Sequence, residues 1–194
     1  MKGNGKTTKL INEIRRARPK YRAVFCFDPK HQVSTALGLP LAKSRSELVD
    51  QIRAVAANKS KWVCWSPIQL FPTDYTKGCD FFCNIVYDLV RSADSRFPKA
   101  IFIDEMGEFV PVTNIQKYRG VMAIFNSGRV YHLHNYFSAQ QYREFHNKLR
   151  FNKTKLFAFK HDNADSVKML TDDCGIALDQ LKNLKRGECV TWGN

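Results

Sequence analysis

The chain has 194 residues, 44% of them apolar and 25% charged, which is enough for one domain with a buried core. Thirty-one Lys/Arg against 18 Asp/Glu give a net charge of +13, which points to a polyanionic partner such as nucleic acid. No apolar run is long enough to span a bilayer and no signal-peptide pattern opens the chain, so the expectation is a soluble protein.

The elements alternate between helix and strand. A helix is expected from Lys6 to about Arg18, stopping before Pro19. Ala23–Phe27 is a short apolar run that ends at Asp28-Pro29 and reads as a buried strand. The segment to Lys43 reads as a loop-like insert. Ser44 and Glu47 form a capping-box pattern that opens a helix to about Ala57. Trp62–Ser66 is strand-like, and Phe71–Gly78 is a turn-rich connector. Asp80 is expected to cap the next helix, in which Phe81, Phe82, Ile85, Val86, Leu89 and Val90 form an apolar stripe. Ala100–Ile103 is a buried strand, followed by a helix over Ile115–Phe125 and a break at Ser127-Gly128-Arg129. Tyr131–Phe137 is the next strand, with Ser138-Ala139-Gln140-Gln141 at its tip, and a basic helix runs to about Arg150. Lys155–Phe159 is a strand, helical stretches lie near Ala164–Leu170 and Leu178–Leu184, and Glu188–Trp192 closes the chain as a strand. This alternation predicts an α/β domain over residues 1–194, with a mostly parallel sheet and helices on both faces.

The basic excess is uneven. Met1–Arg22 holds eight Lys/Arg and one acid, Glu13, and Arg143–Lys160 holds six and one acid, Glu144. The six cysteines, at 26, 64, 79, 83, 174 and 189, form no C-x-x-C pair. They read as buried reduced thiols, and with the histidines they give no zinc-ligand spacing.

Three stretches carry chemistry. The first is Gly3-Asn4-Gly5-Lys6-Thr7-Thr8, which fits the end of the phosphate-binding loop pattern G-x-x-x-x-G-K-[ST]. The pattern's first glycine would fall one position before Met1. The strand that feeds such a loop is missing from the chain as written, and the expectation is that it lies upstream. Small residues let backbone N–H groups turn inward on phosphate oxygens, and the following helix aims its positive end at the same anion. Lys6 can reach the β- and γ-phosphates of ATP, and Thr7 can offer a hydroxyl to Mg²⁺.

The second stretch is Ile101-Phe102-Ile103-Asp104-Glu105, an apolar strand that ends in two acids. Acids at strand ends are common because strands end at the surface. Here the run before them is wholly apolar, and ligands of parallel sheets bind at the strands' carboxyl ends. Asp104 is the candidate Mg²⁺ ligand and Glu105 the candidate base for the attacking water. The third stretch is the tip of the next strand. Gln140, with Gln141 as rival, can sense the γ-phosphate or orient water. Arg129, ahead of the same strand, is a candidate arginine finger for a neighbouring subunit.

With these pieces in order, the chain resembles the FtsK/HerA superfamily of DNA-pumping P-loop ATPases. The resemblance rests on KGNGKTT, the strand ending Asp28-Pro29-Lys30, IFIDEMGEFVP, SGRVYHLHNYFSAQQ, and the turn Leu184-x-x-Gly187-Glu188 into the last strand. The small size is most like the genome-packaging ATPases of tailless icosahedral viruses; Zot-like assembly ATPases of filamentous phages are similar second. The resemblance implies a homo-oligomeric ring, usually a hexamer, with ATP between subunits and double-stranded DNA through the centre. It also implies a viral protein of the host cytoplasm or the virion, with a capsid vertex protein as a further partner. Two other readings are an ATPase driving phage extrusion and a basic DNA-binding remnant that no longer uses nucleotide.

Overall fold

Three apolar runs form the centre of the molecule because every one of their side chains is buried. The computed structural model describes residues 5–92, 97–110, 112–161 and 163–193. The runs are β1 (Ala23–Phe27), β2 (Trp62–Trp65) and β3 (Lys99–Ile103). With β4 (Leu133–Phe137) they form a four-stranded, all-parallel sheet in the order β2-β1-β3-β4. The chain passes from β1 to β2 on one side and then crosses to β3 on the other. Strand order therefore reverses at β1, and the crevice at the carboxyl ends of β1 and β3 is the expected ligand position.

Alternate side chains of the sheet feed two separate cores. Phe25, Phe27, Val63, Trp65, Ile101 and Ile103 pack with Phe82, Cys83, Val86 and Val90 of α4 (Tyr75–Ser92). Leu48 of α3 (Arg45–Ala56) and Val121 and Ile124 of α6 (Arg119–Ser127) complete that face. On the other face Val24, Cys26, Cys64, Ala100 and Phe102 pack with Leu10, Ile14 and Ala17 of α1 (Lys6–Ala17) and with Val33 of α2 (Gln32–Leu37). Helices on both faces are what runs without in–out alternation require. The apolar stripe of α4 is core, and the Ser44–Glu47 capping box is formed.

Several expectations are corrected. The insert after β1 contains α2. α4 starts earlier than Asp80, and Asp74 serves its first turn by accepting from the Lys77 N–H at 2.9 Å. Gly78 reads as a turn in the sequence, but it packs against Pro67, where a Cβ would come within 2.6 Å. Asp80 lies inside α4 and caps a different helix, accepting from the Val121 N–H near the start of α6 at 3.1 Å. Residues 115–117 form a 3-10 turn, apart from α6. The basic helix is the short α7 (Asn147–Asn152). β5 (Lys155–Phe159) does not join the parallel sheet; it pairs antiparallel with β6 (Cys189–Gly193). α5 (Met106–Phe109), α8 (Ala164–Cys174) and α9 (Leu178–Lys182) complete the described elements. Val167, Leu170 and Leu181 of α8 and α9 build a third core with Ala158 of β5. No helix of the described residues is long and apolar enough to cross a membrane.

Candidate active site

Gly5 stands at the start of α1 with φ 89°, a conformation that favours glycine. A Cβ at Gly5 would lie 3.1 Å from the Cα of Gly187, so the two backbones touch. Beside this pair, Lys160, Leu184, Lys185 and Arg186 line an open cavity of about 490 Å³. Gly3 and Asn4 lie outside the described residues. Lys6 and Thr8 follow on the first turn of α1, and neither side chain has a polar partner among the described residues.

Thr7 connects α1 to the sheet. Its Oγ1 donates to Asp104 Oδ2 at 2.9 Å, so the first turn of α1 meets the carboxyl end of β3 although 97 positions separate the two residues. The other carboxylate oxygen, Asp104 Oδ1, accepts from Ser138 Oγ and from the Glu105 N–H at 3.1 Å. Both Asp104 oxygens are therefore aimed by hydrogen bonds. Ser138 follows β4 and holds the turn in three further ways. Its Oγ accepts from the Glu105 N–H at 2.9 Å, its carbonyl accepts from the Met106 N–H at 2.7 Å, and its own N–H donates to the Ile103 carbonyl at 3.1 Å.

Glu105 itself sits at φ 53°. A left-handed conformation costs a non-glycine residue roughly 1–2 kcal/mol, and such strain gathers at functional turns. The turn points the Glu105 carboxylate across the crevice to β1. There Lys30 bonds Glu105 Oε2 and, at 3.0 Å, Glu108 Oε1. Lys30 is delivered by the buried Asp28, which locks the loop after β1 by accepting from the N–H groups of Gln32 at 2.9 Å and Ser34 at 2.7 Å. Gln140 Nε2 lies 3.4 Å from both Glu105 Oε1 and Glu108 Oε1. Glu144 caps the Gln140 loop, accepting from the N–H groups of Gln140 and Gln141, each at 3.0 Å. A Cβ on Gly107 would lie 2.6 Å from Glu144, so a glycine is needed where α5 meets this loop.

Burial works against the charged form of Glu105. The hydrogen bond and charge of Lys30, with smaller help from Gln140, outweigh it and hold the carboxyl below the usual range. Burial also works against the Lys30 ammonium, and its bonds to Glu105 and Glu108 outweigh that and raise its pKa.

The structure thus brings Thr7, Asp104, Glu105 and Gln140 together at one crevice. Between the two glutamines, it is the Gln140 amide that reaches Glu105, while Gln141 Oε1 is buried without a hydrogen-bond partner among the described residues. Arg129 is elsewhere. It is exposed in the 3-10 turn Gly128–Tyr131 ahead of β4, at the opposite end of the strands. Sequence reasoning gave no role to Lys30, Glu108 and Ser138. Their signal was positional, since each follows the carboxyl end of a parallel strand.

Thr7 and Asp104 are hard oxygen donors 2.9 Å apart, close to the start of a helix, and this set suits Mg²⁺ held with a phosphate.

No family model matches the sequence, and no curated protein matches it either. Solved structures do match in fold. The genome packaging NTPase B204 from Sulfolobus turreted icosahedral virus 2, in complex with ATP-gammaS, superposes with a TM-score of 0.65 at 13% identity, covering 99% of this chain and 87% of that one. The same protein in complex with AMP gives 0.64 at 12% identity, over 99% of this chain and 88% of that one. With sulfate it gives 0.62 at 14% identity, over 99% and 86%. The structural likeness falls where the sequence resemblance pointed, and the chain has the α/β fold of a P-loop NTPase, shared over nearly its whole length with a viral genome-packaging NTPase.

Proposed function

We propose that the chain is an ATP-driven motor that packages double-stranded viral DNA into a capsid, working in the host cytoplasm or the virion as a ring of copies, usually six. The observation that carries this reading is the Thr7–Asp104 hydrogen bond. It joins the two halves of a phosphate-and-metal site that the sequence places far apart. The solved neighbour is a genome packaging NTPase crystallised with AMP, AMPPCP and ATP-gammaS, and this fold-level likeness supports nucleotide hydrolysis coupled to packaging.

In this reading Gly3, Asn4 and Gly5 cradle the phosphates with backbone N–H groups, and Lys6 neutralises the β- and γ-phosphates. Thr7 and Asp104 hold Mg²⁺, which supplies charge neutralisation at the phosphate oxygens. Glu105 takes the proton of the attacking water, and Gln140 orients that water. Ser138 keeps Asp104 and the Glu105 backbone in register. Arg129 faces the wrong way for its own site and serves the site of the next copy in the ring. The motor contacts DNA through phosphates, which suits the movement of any sequence.

The test is ATP turnover by the protein with and without double-stranded DNA, over a range of salt. Turnover that DNA stimulates, with stimulation falling steeply as salt rises, supports the motor. Turnover indifferent to DNA at every salt concentration rejects it. DNA binding without any ATP affinity favours the DNA-binding remnant.

A further inference from the structure

The sequence has two basic stretches, and the structure separates them. In the Arg143–Lys160 stretch the charges are largely engaged. Arg143 pairs with Asp165 at 3.1 Å and Arg150 with Asp173 at 3.2 Å. Lys148 donates to Asn126 Oδ1 at 3.0 Å, and Lys153 donates to the Arg150 carbonyl at 2.6 Å and lies over the Trp192 ring. In the first stretch Lys9 and Arg16 share Glu13, and Arg15 donates to the Ala36 carbonyl. Lys6 belongs to the candidate nucleotide site and Lys2 lies outside the described residues; what remains is Arg18, Lys20 and Arg22, exposed and without an acidic partner among the described residues.

These three lie just ahead of β1, and Lys59 and Lys61 lie just ahead of its neighbour β2. Both lysines are exposed and likewise unpaired among the described residues. The groups are contiguous. The Val24 N–H donates to the Lys61 carbonyl at 2.7 Å, and the Arg18 guanidinium lies 5.5 Å from the centre of the Trp62 ring. Arg22 lies over Phe97, which is 48% exposed ahead of β3. The described residues leading into the four strands, 18–22, 58–61, 97–98 and 128–132, contain no acidic residue, and Asp94, ahead of β3, lies outside the described residues. Among the described residues the amino end of the sheet is therefore a basic face on which Arg18, Lys20, Arg22, Lys59 and Lys61 have no acidic partner, with adjacent strands about 4.8 Å apart.

We infer that this amino-end face, Arg18, Lys20, Arg22, Lys59 and Lys61, is the surface that holds the phosphates of double-stranded DNA. The inference rests on the motor reading and adds the place of contact. Neighbouring lysines and arginines with no acid to satisfy them release counterions when they meet a phosphate backbone, and they read no sequence. The nucleotide site lies at the other end of the same strands, so nucleotide and DNA do not compete for one surface.

The test uses two triple variants with the same loss of charge, Lys20→Ala/Arg22→Ala/Lys61→Ala and Arg143→Ala/Lys148→Ala/Lys155→Ala. All six residues are exposed, and a melting curve and DNA-free ATP turnover confirm that each variant is folded. Affinity for a mixed-sequence duplex is read as a function of salt. The amino-end triple is expected to lower the magnitude of the slope of log K against log salt by about three, and to weaken binding on the order of 10²–10³-fold at 0.1 M salt. The second triple should change the slope by less than about one. Unchanged binding in the amino-end triple overturns the inference and leaves that face for an acidic protein. Equal losses in both triples overturn it too, because charge alone then decides. A wild type that binds DNA through this face but does not turn over ATP defeats the motor and spares the face.

Discussion

The two ends of the parallel sheet are made from the same four strands and differ in what flanks them. At the carboxyl ends stand Asp28, Asp104, Glu105 and Glu108, with Lys30 between them, and each is held by a hydrogen bond or an ion pair. At the amino ends stand Arg18, Lys20, Arg22, Lys59 and Lys61, exposed and unpaired among the described residues. Fixed geometry suits a place where bonds are made and broken, because reacting groups must be positioned to within fractions of an ångström. Mobile, solvated cations suit a polymer whose phosphates pass in any register. In the proposed reading one sheet separates chemistry from grip, and substitutions at the two ends should fail in different ways.

The largest effect is expected for Lys6→Ala. In the proposed reading it removes the cation that neutralises the β- and γ-phosphates, so both ATP affinity and turnover should fall, the turnover on the order of 10²–10³-fold. Duplex binding in the absence of nucleotide should be untouched, which isothermal titration with ATP and with DNA will show separately. Glu105→Gln comes next. The amide keeps the shape and loses the base, so turnover should fall about 10²-fold or more while ATP affinity stays within a few-fold of wild type. Equal loss of binding and turnover in Glu105→Gln would contradict its role as a base. If either variant also lost DNA affinity, the two ends of the sheet would not be separate devices.

Much of the fold and of the carboxyl-end crevice was legible in the sequence, the amino-end face was not, and the part that was not has physical reasons. Runs such as Ala23–Phe27 and Ala100–Ile103 announce buried parallel strands because both faces must be apolar. The acids after β3 and the glycine-lysine-threonine at α1 announce the site through residue type. Periodicity cannot say which sheet a strand joins, and so Lys155–Phe159 read like the others although it pairs with β6. Nor can it tell a glycine that turns from a glycine that packs. Gly78 looked like the end of a connector because its contact with Pro67 is invisible in one dimension, and that displaced the start of α4 and mistook the helix that Asp80 caps. Ser138 and Lys30 escaped because their roles exist only through partners 34 and 75 positions away.

Lys30 gives the smallest expected effect and the sharpest view of the carboxyl end. Among the described residues it is the one cation bonded to both Glu105 and Glu108, and without it these two neighbouring carboxylates lose the positive charge between them. Lys30→Met should therefore lower kcat about tenfold, close to the worth of one charged hydrogen bond, with KM changed little. If repulsion between the two acids is the cause, removing one of them should undo part of the damage. Glu108→Gln in the Lys30→Met background should recover some of the lost kcat, and Lys30→Arg should retain most of it. The double-mutant cycle then gives a coupling between Lys30 and Glu108 above about 0.5 kcal/mol. Strict additivity in that cycle would reduce Lys30 to a surface ion pair like Arg53–Asp50, whose removal changes nothing that the site does.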